Sequence, residues 1–79
     1  MNAPFSRVAH GRPDAYRELI AENAWYAAVQ ADLAQTHAAI GDDVGLEYAV
    51  RRLVAYTRQI AGTLADLKQH KAEARHGHV

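Results

Sequence analysis

From Asp14 to Ile40 the chain contains neither glycine nor proline, and Gly41 ends the run. Pro13 stands at its head, where a first-turn proline forfeits no hydrogen bond, and Asp14 and Glu18 set negative charge near the positive end of a helix dipole. A helix over 13–40 follows, a rod of roughly 40 Å. A rod that long fits into 79 residues only if the chain doubles back beside it. Gly41 supplies the left-handed residue that commonly closes a helix, and Asp42 or Asp43 can cap the next one. The reading is an N-terminal arm over 1–12, extended or partly ordered, a bend over 41–45, a second helix over 46–72 and a frayed tail over 73–79. Gly45 costs about 1 kcal/mol relative to alanine and softens the start of the second helix.

The second helix carries the clearest periodicity. Leu46, Val50, Leu53, Thr57, Ile60, Leu64 and Leu67 alternate steps of four and three, the spacing of helices that pack side by side. Leu19, Glu22, Tyr26, Val29, Leu33, Thr36 and Ile40 form a similar row on the first helix. The rows pair without slippage about Asp43: Ile40 with Leu46, Leu33 with Leu53, Tyr26 with Ile60, Leu19 with Leu67. Glu22 opposite Leu64 is the one mismatch, at the edge of the seam. The expected fold class is all-α, an antiparallel two-helix hairpin with these rows as its seam and Trp25 flanking it in the core.

Two adjacent carboxylates between glycines also raise a calcium loop. A dedicated calcium site takes six or more oxygens from a longer loop with an Asp-x-Asp-x-Asp-Gly spacing, which is missing here. The segment reads as a bend.

The first helix is apolar on a further stripe, Tyr16, Ile20, Ala24, Ala27, Ala31, Ala34 and Ala38. Small side chains at that spacing admit a close neighbour, so this stripe is the expected dimer seam, with helix one of a second copy crossing it antiparallel in a four-helix bundle. Size argues the same way, because a chain this short buries only about 60% of its surface on folding. No cysteine is present to staple it.

Little in the composition speaks of chemistry. The only serine, Ser6, lies in the arm, and no phosphate-binding glycine loop occurs. Glu18, Glu22 and Asp32 have no deep pocket in a two-helix unit to shift their pKa values. His10, His37 and His70 lie far apart, and His76 and His78 sit in the tail, without the spacing of a helical metal pair. We expect no enzyme activity, cofactor, metal site or small-molecule substrate. No run approaches the ~20 apolar residues of a membrane span, and no signal peptide opens the chain, so a cytoplasmic location without a membrane partner is expected. Seventeen alanines and seven arginines against two lysines suit a GC-rich bacterial or phage genome.

Nine acids balance nine bases, but unevenly: Asp14–Glu47 is acidic and Arg51–Val79 basic. Tyr48, Arg51, Arg52, Ala55, Arg58 and Gly62 mix tyrosine, arginine and small residues on the outer face of the second helix, a composition suited to docking another protein. The expected function is a non-catalytic protein-interaction module: an adaptor, an assembly or accessory factor, or a small inhibitor of a larger complex. The alternative is a nucleic-acid-binding hairpin dimer that uses Arg51, Arg52 and Arg58, with Lys68, Lys71 and Arg75 extending the charge. A net charge of zero weighs against it, and Glu47, four residues before Arg51, offers that arginine a partner within the helix.

Overall fold

The computed structural model describes residues 12–76. Two helices, α1 (Pro13–Ala39) and α2 (Asp43–His76), pack against each other as a hairpin. The expected arm, apart from Arg12, and residues 77–79 lie outside the described residues.

The ends of the helices follow from local chemistry. Pro13 opens α1 after Arg12, whose backbone is extended. Asp14 in the first turn accepts from Arg17 at 3.0 Å. At the other end Gly41 adopts φ 73, and the Gly41 and Asp42 amides donate to Ala38 and His37, a Schellman closure. Asp42 then caps α2, its Oδ1 accepting from the Gly45 amide at 3.0 Å. With that cap in place α2 starts at Asp43, earlier than the expected residue 46, and Gly45 lies inside its first turn. Because an L side chain is strained at positive φ, Gly41→Ala is expected to lower stability by about 1 kcal/mol. Denaturant unfolding reads this directly, and an unchanged midpoint would mean that the turn tolerates a Cβ.

The hairpin reverses at the expected place, but its helices are turned from the expected seam. On α1 the covered line is Tyr16, Ile20, Asn23, Ala27, Gln30, Ala34 and His37; on α2 it is Leu46, Ala49, Leu53, Tyr56, Ile60, Thr63, Leu67 and His70. Both lines keep the alternation of threes and fours. Tyr16 meets His70 with ring centroids 5.6 Å apart, two residues equidistant from Asp43. The row expected to form the α1 half of the seam lies largely outside it, with Leu33 at 41% and Ile40 at 71% exposure. On α2 the alternate members Val50, Thr57 and Leu64 are exposed as well. Small residues explain the turn. Ala27, Ala49 and Asn23 are buried where the helices meet, and short side chains at a contact let two helices pack closely. Asn23 is compatible with burial because its Nδ2 donates to the Leu19 carbonyl at 3.0 Å. Trp25, expected in the core, is half-buried and packs edge-on to Tyr26 at 5.1 Å.

Two helices side by side make a slab measuring 58 × 23 × 12 Å, one helix thick. Its radius of gyration is 16.1 Å, against about 12 Å for a compact chain of this length. The accessible surface is 5864 Å², against roughly 4,700 Å² for a folded monomer of this mass. Among the described residues only Ala15, Ala27, Ala49 and Leu67 are buried apolar residues. The slab has a seam and two broad sides, and hardly any interior.

Candidate interaction faces

Helical periodicity and the observed contacts assign each flanking residue to a side of the slab. Tyr26 flanks the seam on α1 and stacks on Tyr56 of α2, with centroids 5.2 Å apart and planes 15° apart. Arg52 flanks it on α2, donating to the Tyr56 hydroxyl at 2.7 Å. Its guanidinium lies 5.5 Å from the Tyr56 ring centroid and 5.6 Å from that of Tyr48. These residues define an aromatic side, which Leu33 and Ile40 share.

At the bend the same side is closed by three residues. His37 Nδ1 lies 3.0 Å from Asp42 Oδ2, and the Gly45 amide holds the other carboxylate oxygen. The Gly45 hydrogen bond, followed by the nearby His37, holds the Asp42 carboxyl below its ordinary range against the opposing effect of desolvation. A Cβ on Gly45 would collide with the His37 ring and the Asp42 carboxylate. Gly45 therefore makes room for the histidine. In a His37→Ala background, Gly45→Ala should gain the usual helix-propensity benefit of about 1 kcal/mol, and in the native background that benefit should vanish or reverse. A cycle of four unfolding curves measures this, and strict additivity would remove the contact.

The other side is smooth. Away from Tyr26, α1 presents Ala24, Ala28, Ala31, Ala38 and one polar side chain, Gln35; away from Arg52, α2 presents Val50, Thr57 and Leu64. Between them lie the partly covered Ile20, Ala34, Leu46, Leu53 and Ile60. Leu64 is 47% exposed and Val50 42%. The Thr57 hydroxyl donates to the Val54 carbonyl at 2.9 Å, so its polar hydrogen is already used within the helix. No charged residue interrupts this side from Ile20 to Ala38 on α1 or from Leu46 to Leu67 on α2. Its rim is charged and segregated: Asp43 and Glu47 flank it near the bend, and Arg17, Lys68, Lys71 and Arg75 near the open end.

The expected dimer stripe is thus divided by the fold. Tyr16, Ile20, Ala27 and Ala34 help to line the hairpin's own seam, with Ala27 buried, whereas Ala24 and Ala38 are exposed and Ala31 is half-buried on the smooth side. By spacing alone this stripe and the leucine row of α2 belong to different interfaces. In the folded chain their unburied members form one surface.

The expected partner-binding residues occupy the outer edge of α2 and the aromatic side. Arg51 is paired with Glu47 at 2.6 Å. Together with Val44 and Tyr48 these two line a shallow open depression. Arg52 is half-buried over the tyrosines, so the three arginines of the basic stripe are not equivalent. Arg58, Ala55 and Gly62 are exposed, and a Cβ on Gly62 would meet nothing within 4 Å. Among the described residues no three His, Asp or Glu side chains gather in a way that could hold a metal ion. No described helix is long and apolar enough to cross a membrane. Comparison of the chain with protein-family models, with curated proteins and with solved structures finds no match.

Proposed function

We propose that the chain is a non-catalytic protein-interaction module that works as a homodimeric four-helix bundle, two hairpins meeting through their smooth sides. The observation that carries this reading is the smooth side itself, a broad, mainly apolar surface with its charges confined to the two ends, on a hairpin that buries almost no large side chain. A slab of this kind gains most by covering that surface with a similar one, as in bundles built from helical hairpins. The bundle then turns the Tyr48, Arg51, Ala55, Arg58 and Gly62 edge outward, where tyrosine and arginine can anchor a further protein. The pairing of Arg51 with Glu47 and the engagement of Arg52 by Tyr56 favour this protein-docking role over phosphate binding. Light scattering of the purified chain at micromolar concentration is expected to give twice the single-chain mass. A single-chain mass throughout would refute the bundle.

A further inference from the structure

Resting on the dimer reading, we propose that a second copy of this chain lies antiparallel on the smooth side, with the two bends at opposite ends of the bundle. Three observations on the hairpin carry this arrangement.

The first is area. Over the length of α1, roughly 40 Å, a side 23 Å wide offers on the order of 900 Å² to a partner. A stable specific interface needs about 800 Å² from each copy. One second hairpin therefore suffices, and a single helix would leave half of the surface wet.

The second is charge. Near the bend the rim carries Asp43 and Glu47, and near the open end it carries Arg17, Lys68, Lys71 and Arg75. Bends at the same end would set like charges against each other. Bends at opposite ends place Asp43 and Glu47 of one copy beside Lys71 and Lys68 of the other, twice over by the two-fold axis. Glu47 already accepts from Arg51, but its side chain is 63% exposed and has acceptor capacity left for a second cation.

The third is the spacing of the rows. Ala24, Ala31 and Ala38 are symmetric about Ala31, and Val50, Thr57 and Leu64 about Thr57. The hairpin register brings these two centres to nearly the same height along the slab. A two-fold axis across the slab at that height sets Ala31 on Ala31 of the other copy, Ala24 on Ala38 and Val50 on Leu64. Small residues then meet small and large meet large along both helix pairs, and both rows close together.

The test uses the absence of native cysteine. Val44 is 82% exposed at the bend and points away from the smooth side, so Val44→Cys carries a spin label outside the proposed dimer contact, with helicity as the control. Pulsed dipolar spectroscopy on the labelled dimer is expected to give a distance of about 40 Å, the span between bends at opposite ends. A distance near 20 Å in a sample of two-chain mass would overturn the antiparallel arrangement and leave the dimer standing. Absence of dipolar coupling together with a single-chain mass would overturn both. A charge exchange adds a second readout. Glu47→Lys and Lys68→Glu should each raise the dimer dissociation constant about tenfold at low salt, and the double variant should restore it. Residues 47 and 68 of one chain lie too far apart along α2 to meet, so restoration can come only from contact between copies.

Discussion

Glutamate at both Ala31 and Leu64 is expected to convert the proposed dimer into single chains that lose much of their helix. Ala31 and Leu64 sit on the two halves of the smooth side, so each copy would bring two carboxylates into the contact and the two-fold axis makes four. Unpaired charge enclosed in an apolar contact costs several kcal/mol per group. That is comparable with the whole stability of a domain of this size, about 4–12 kcal/mol at 0.05–0.15 kcal/mol per residue. A released hairpin keeps only its thin seam, so its helicity becomes marginal. Sedimentation equilibrium with circular dichroism reads both effects, and the midpoint of wild-type melting should rise with protein concentration. Retention of the two-chain mass by the double variant would show that the smooth side faces solvent.

Leu67→Ala should be the most damaging single truncation in the seam, lowering stability by about 2–5 kcal/mol. Leu67 is 8% exposed and is the largest of the buried apolar residues, so its loss leaves a void that the neighbouring rods can close only by shifting along their full length. Leu33→Ala is the informative comparison. Leu33 belongs to the row that periodicity alone would bury, yet it flanks the seam at 41% exposure, and its truncation should cost about 1 kcal/mol or less. Urea unfolding of the two variants ranks them. Equal losses would return the seam to the leucine row of α1.

That comparison marks where the sequence was legible and where it was not. The reversal was legible because each signal for it is local. Pro13 starts a helix, Gly41 takes a positive φ, Asp42 caps, and the heptad rows on either side agree on a centre at Asp43. The rotation of each helix was not legible, because adjacent rows on one helix share the same spacing and differ only in which way they point. Aliphatic size then favoured Leu33 and Ile40 over Asn23, Gln30 and His37, which look like surface residues. Asn23 is accommodated by its bond to the Leu19 carbonyl and His37 by Asp42 and the space left by Gly45. The Gln30 Oε1 atom is buried without a partner, and nothing in the hairpin accounts for it. For the candidate surfaces, the Glu47–Arg51 pair was visible in its spacing, whereas the merging of two apolar rows into one surface needed the rotation first.

A body only one rod deep shares no interior between its opposite surfaces. Changes on the tyrosine flank and changes on the alanine and leucine flank should therefore combine independently wherever they do not touch the line between them. In the proposed dimer, selection could then rewrite one flank while the other keeps its contact with the second copy.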